Sequence, residues 1–301
     1  MKLSLGPVLF FWSGEKLSEF YQQMVASPVD IIYMGETVCS KRRSFNFDGW
    51  FDLAKTVASS GKQVVFSTLA LIEAESELKT LRRFCDNGDF IIEANDMAAV
   101  QLLNEKKLPF ICGPTINIYN AQTLKVLHQQ GLQRWIMPVE IGASSLTNIL
   151  DDLQNMGLSD KIETEVFSYG FMPLALSARC FTARAHNLPK DQCDLICIDF
   201  PAGMAVETQE KDQQHSSLFT LNGIQTLSGQ PYDLFSQLQK MQEMGVDVIR
   251  LSPQGENMQD VVESFAEKIN NPDYQANYTL KDSCNGYWFD KPGMDTLNSA
   301  G

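Results

Sequence analysis

The chain has 301 residues, 44% hydrophobic and 20% charged, and its 37 acidic against 24 basic side chains leave a net charge of −13 and a pI near 4.7. That balance repels nucleic acid and anionic membrane surfaces, and the densest basic spots, Lys41-Arg42-Arg43 and Arg82-Arg83, are too short to make a binding groove. No apolar run reaches the eighteen or so residues of a membrane span, and a chain of this size buries about three quarters of its unfolded surface without disulfides.

Lys2 and the run LSLGPVLFFW imitate a signal peptide, but Gly6-Pro7 interrupts it and no small-residue cleavage pattern precedes Glu15 and Lys16. The run reads as a buried first strand over 3–11, and the protein as cytoplasmic. Leu17, Phe20, Tyr21 and Met24 then fall at helical spacing. The same alternation continues through DIIYMG (30–35), a helix from Phe47 to Ser60, QVVFSTL (63–69), and a helix ending at Gly88. FIIEA (90–94) and a helix capped by Asn95-Asp96 come next, then LPFICG (108–113) with its helix to Gly131. RWIMPVE (134–140), a helix near Ser144-Ser145 and IETEVFSYG (162–170) complete seven strands. The rhythm then breaks for roughly seventy-five residues (170–245), and VDVIRLSP (246–253) with a helix from Asp260 to Ile269 restores it.

Eight such units predict an α/β fold, a (β/α)8 TIM-barrel-like single domain over 1–271 with a long cysteine-bearing insertion after strand seven. Residues 272–301 read as an irregular tail packed on it. A doubly wound open sheet is the alternative, but no Gly-rich dinucleotide fingerprint follows any strand.

The insertion carries CFTARAHNLPKDQCDLIC, with Cys180, Cys193 and Cys197 spaced C-x12-C-x3-C. Reduced thiols clustered this way point to a metal rather than to disulfides, and three thiolates are one short of a four-cysteine site. Cys39, in a polar loop four residues past strand two, lies on the same expected barrel face as the insertion. Cys112, at the apolar end of strand five, is the competitor. Cys85 and Cys284 read as small packing residues. Spacing alone does not separate zinc from iron–sulfur, because C-x3-C is also zinc spacing and no C-x2-C-x2-C run is present.

VDIIYMGETVCSKRRSFNF, GPTINIYNAQTLKVLHQQGLQRWIMPVEI and ETEVFSYGFMPLALSARC together resemble the opening, central and signature stretches of the so-called peptidase U32 family, over nearly the whole chain. Most members carry a cysteine where Pro173 stands; its loss, with a cysteine after strand two instead, is similar to the UbiV type of ubiquinone biosynthesis protein. The resemblance implies a [4Fe–4S] cluster held by Cys39, Cys180, Cys193 and Cys197. It also implies a heterodimer with a UbiU-type sister protein and oxygen-independent hydroxylation of the aromatic ring of a ubiquinone precursor, delivered with or without a lipid-carrier protein. Related members hydroxylate RNA bases with prephenate as oxygen donor. A non-catalytic iron–sulfur module serving a partner and an RNA-base hydroxylase are the competing readings, and the charge disfavours the second. A peptidase fits poorly: there is no H-E-x-x-H or G-x-S-x-G, and His128, His186 and His215 have no nucleophile beside them.

Arg42 and Arg43, just after Cys39, could bind a carboxylate; a solvated basic turn is the plainer reading. Glu165 could point into the barrel mouth or sit in a salt bridge, and His186, between two cysteines, could support ligands or substrate.

Overall fold

The computed structural model describes residues 1–189, 192–208, 217–255 and 257–297. Short apolar runs form parallel strands because both of their faces are covered. These are β1 (Lys2–Leu5), β2 (Ile31–Met34), β3 (Gln63–Ser67), β4 (Ile91–Ala94), β5 (Phe110–Cys112), β6 (Leu132–Ile136) and the lower half of β7 (Glu163–Leu176). Between them run α1 (Gly14–Val25), α2 (Phe47–Ala58), α3 (Glu75–Cys85), α4 (Met97–Glu105), α5 (Ala121–Gln129) and α6 (Ala143–Asn155). Polar side chains start several of these helices: Ser13, Asn46, Asp96 and Asn120 each accept a backbone N–H of the first turn. After the insertion come α8 (Leu238–Met244), β11 (Val248–Leu251) and α9 (Met258–Asn270).

Strand β11 pairs in parallel with both β7 and β1, so the eight parallel strands close into a ring, β1 to β7 and then β11. This is the expected TIM-barrel-like fold. The helices pack outside it through one large apolar layer that includes Tyr21, Met24, Phe66, Leu124, Leu146 and Phe265.

The first strand is shorter than its apolar run. Gly6 N–H still bonds Leu251 carbonyl at 2.8 Å, but Pro7 has no N–H to continue the ladder, and residues 6–13 form a loop. Val8, Phe10 and Trp12 are buried there regardless, and the Trp12 indole donates to Pro201 carbonyl in the insertion at 2.8 Å.

The insertion is an antiparallel sheet outside the ring. β7 continues to Leu176 and pairs there with β10 (Gln225–Asp233), then β9 (Ser217–Asn222) and β8 (Met204–Glu207). A five-residue helix, α7 (Phe181–Ala185), precedes these strands. The tail returns to this sheet: Cys284 exchanges backbone bonds with Pro231 and Asp233, and the buried Trp288 indole donates to Gln237 Oε1 at 3.2 Å. Among the described residues, no helix is long and apolar enough to cross a membrane.

Candidate functional site

Cys39 lies in a turn built by its neighbours. The Glu36 carboxylate accepts the N–H groups of Val38 and Cys39 at 2.8 and 3.0 Å, and Arg42 N–H bonds Cys39 carbonyl at 3.0 Å. Cys180 caps α7, its Sγ accepting Ala183 N–H at 3.4 Å. That helix is tied to the β9–β10 turn, where Phe181 N–H bonds Gly223 carbonyl and Gly223 N–H bonds the Thr182 hydroxyl. Cys193 and Cys197 flank Asp194 and Leu195, both at positive φ (46° and 56°), a left-handed step that aliphatic Leu195 adopts only at a cost.

These four thiols, from three separate stretches, line one cavity of about 620 Å³. All four are half-buried, whereas Cys85, Cys112 and Cys284 are buried elsewhere. Burial pushes Cys39 and Cys197 above the ordinary thiol value, and the neighbouring Arg42 guanidinium pulls each back part of the way. Burial also raises the competitor Cys112, to about 12, with the Glu93 charge adding to the effect.

The cavity continues away from the thiols between α2 and α3. Phe45, Phe47, Trp50, Leu81 and Phe84 form an apolar wall, and Lys41, Arg43 and Arg83 sit at its edge. Phe47 meets Phe84 edge-on at 5.0 Å and carries the Arg83 guanidinium 4.6 Å above its ring. Glu73 and Glu77 line the same cavity, and Arg83 is paired with Asp48 at 3.2 Å. The aromatic spacing of SFNFDGWF was visible in the sequence, but it reads as the ordinary buried face of a helix.

Arg42 is buried, with its side chain 0% exposed. Its Nη1 donates to Leu9 carbonyl at 2.8 Å and its Nη2 to Asn222 Oδ1 at 2.7 Å, while Asn222 Nδ2 also donates to Leu9 carbonyl at 2.8 Å. One side chain thus joins the β1 loop, the Cys39 loop and the insertion. Arg42→Met is expected to lower stability by about 2–3 kcal/mol, since bonds to charged groups are the stronger ones. Hydrogen exchange across residues 177–200 should accelerate; exchange unchanged from wild type would show that another contact holds the insertion.

Arg43 lines the cavity, and exposed His186 packs against Phe200 with the rings tilted by 36° and their centroids 5.3 Å apart. Glu165 is elsewhere, fully buried inside the ring. A TIM-barrel lumen is ordinarily filled by branched apolar side chains, and Ile31, Val65, Ile111, Ile136 and Val248 supply one such layer. Through it runs a column of charges. Arg134 Nη2 meets Glu163 at 2.5 Å, and Arg134 Nη1 lies 3.7 Å from Glu165. Glu165 accepts from Tyr33 hydroxyl (2.5 Å), Ser4 hydroxyl (2.7 Å) and Arg250 Nε (2.7 Å), and Arg250 Nη1 reaches Glu93 at 2.8 Å. The sequence hint was charge inside apolar strand runs: Glu93 in FIIEA, Arg134 in RWIMPVE, Glu163 and Glu165 in ETEVF, and Arg250 in VDVIRLSP.

Among the described residues, no group of three or more His, Cys, Asp or Glu side chains is arranged to hold a metal ion. The donor set nonetheless suits a thiophilic centre: four sulfurs face one cavity, one already receives a backbone N–H, and one lies beside a buried guanidinium. Thiols lose their protons on binding a metal.

The model of peptidase family U32 matches residues 16–281. Among solved structures, the U32 peptidase Mk0906 is similar at a TM-score of 0.45 and 10% identity, over 85% of this chain and 94% of that one. A putative dihydrodipicolinate synthetase from Pseudomonas aeruginosa is similar at 0.48 and 7%, over 91% and 78%. Dihydropteroate synthase from Thermus thermophilus is similar at 0.41 and 11%, over 89% and 92%. Of these matches, the one to the family bears on function.

Proposed function

The chain belongs to peptidase family U32, and from that premise we propose that it is the [4Fe–4S] subunit of an oxygen-independent hydroxylase acting on the aromatic ring of ubiquinone precursors, of the UbiV type. Cys39, Cys180, Cys193 and Cys197 hold the cluster. A UbiU-type sister protein completes a heterodimer, and prephenate serves as the oxygen donor.

The observation that supports this reading most is the shared cavity, in which four half-buried thiols meet an aromatic wall. When bound, a [4Fe–4S] centre supplies one-electron chemistry at a potential set by its hydrogen bonds, charge and exposure. The chain's own residues do the rest. Phe45, Phe47 and Trp50 give an aromatic ring an apolar wall in the same cavity as the thiols, and Arg43 at its edge suits a ring carboxylate, Arg83 being paired with Asp48. Arg42, buried against Glu36 and near Cys197, contributes positive charge where thiolates would gather, and Ala183 N–H fixes the orientation of the Cys180 sulfur.

Chemical analysis of anaerobically purified chain tests the reading. Iron and acid-labile sulfide in equal amounts, about four of each per chain, with a brown oxygen-sensitive chromophore, is the expected result. Turnover of the ring substrate should then require this chain together with its sister. A colourless, oxygen-indifferent preparation carrying zinc would overturn the proposal. Full quinone synthesis by cluster-free variants would leave the accessory reading in its place.

A further inference from the structure

Above the column of charges, the mouth of the barrel holds a second, smaller cavity of about 40 Å³. It lies on the barrel axis, bounded by the loops after β1 to β5 and by β7, β10 and β11, the face on which enzymes of this fold bind ligands. Two atoms belonging to its walls, Arg250 Nη2 and Thr37 Oγ1, are buried and lack a hydrogen-bond partner among the described residues. Their residues are only 3% and 6% exposed. Buried donors are almost always paired, so two orphans in one small cavity call for an occupant.

Arg250 is otherwise fully committed. Its Nε and Nη1 hold Glu165 and Glu93, and its guanidinium lies 4.0 Å from the centre of the Tyr33 ring. Such a buried ionic column stabilises a fold poorly compared with apolar packing. What it does achieve is to point one guanidinium nitrogen at a fixed place. Asn95 and Thr115 steady the opposite wall: Asn95 Nδ2 donates to Thr68 carbonyl at 3.0 Å, and the Thr115 hydroxyl donates to Asn95 carbonyl at 2.7 Å.

Charge decides the class of occupant. In the column, Arg134 and Arg250 already face three carboxylates, Glu93, Glu163 and Glu165, so neither guanidinium has charge to spare. A carboxylate at Arg250 Nη2 would lie beside Glu93 with no cation left to compensate it. A carbonyl or hydroxyl oxygen accepts the same hydrogen bond without that penalty. We propose that the barrel mouth is a second binding site, separate from the thiol cavity, which takes the uncharged carbonyl or hydroxyl end of a small molecule between Arg250 and Thr37. The two sites adjoin, because Glu36 and Val38 on either side of Thr37 line the thiol cavity. The inference does not require a cluster.

Acetamide and acetate, matched in shape and differing in charge, are the probes. Crystals of the full chain soaked in each, with NMR titrations alongside, give the test. Acetamide should occupy the mouth with its oxygen on Arg250 Nη2 and bind more tightly than acetate. Thr37→Val, which keeps the shape and removes the hydroxyl, should weaken acetamide binding about tenfold. Ala70→Leu, which fills the cavity from another loop, should abolish it and keeps the test intact if the first variant folds badly. Tighter binding of acetate, ordered water alone in both soaks, or unchanged binding in both variants would each overturn the proposal.

Discussion

Changing any one of Cys39, Cys180, Cys193 or Cys197 to serine is expected to strip the purified chain of nearly all its iron and its visible chromophore. The same change at Cys85, Cys112 or Cys284 should leave both in place. The first four face a common cavity and are half-exposed to it, so a centre bound there could use each of them. The other three are enclosed by apolar neighbours: Cys85 on α3, Cys112 at the end of β5, and Cys284 bonded through its sulfur to the Gln230 and Pro231 carbonyls. Burial raises their thiols to about 11, 12 and 12, which makes them inert packing groups. Serine is close in size but a far poorer ligand for iron, so the loss reports on ligation and not on a cavity. Retention of full iron content by the Cys39 variant, with loss in the other three, would place the fourth ligand elsewhere. Cysteine-dependent zinc without colour would keep the four residues and change the metal.

The barrel was legible because its signal repeats: each unit pairs a short apolar run with a helix whose buried residues recur at 3.6-residue spacing, and eight such units leave few folds open. Edges were less legible. The run from Val8 to Trp12 is as apolar as a strand, yet it is a loop made apolar by the insertion packed over it. DLFSQLQKMQEMG has the composition of one helix, yet α8 begins only at Leu238, because Asp233 still belongs to β10 and a 3-10 turn follows it. Strand seven reads as ending at Gly170, but it runs on to Leu176 against an antiparallel partner whose register slips opposite Pro173. Cys180, Cys193 and Cys197 could be picked out by type and spacing, whereas Cys39 joined them through the family resemblance. The lumen charges could not, since one polar residue in a strand does not say which face it takes until the ring closes. Arg42 looked like a solvated cation and is instead the buried tie between three loops, a contact nearly two hundred residues away in sequence.

Glu165→Gln should destabilise the fold by about 3–5 kcal/mol at neutral pH, the range for removing one partner of a buried ion pair. The side chain is fully buried and accepts bonds from Tyr33, Ser4 and Arg250, with Arg134 close by. Glutamine keeps the volume but leaves two guanidinium groups sharing only Glu93 and the half-exposed Glu163. It also turns one acceptor into a donor facing other donors. The loss should depend on pH with a definite sign. Burial alone would raise the Glu165 pKa, but Arg250 and Arg134, with the Tyr33 and Ser4 hydroxyls, more than offset it and hold it below its ordinary 4.5. A carboxylate whose pKa is depressed by folding adds stability that is fully present above the unfolded value and disappears as pH falls through the folded one. The gap between wild type and variant, measured by urea unfolding, should therefore be constant from pH 7 to about 5 and close below 4.5. A gap equally wide in acid would mean that the glutamine disturbs packing rather than charge, and the lumen column would then be ordinary filling.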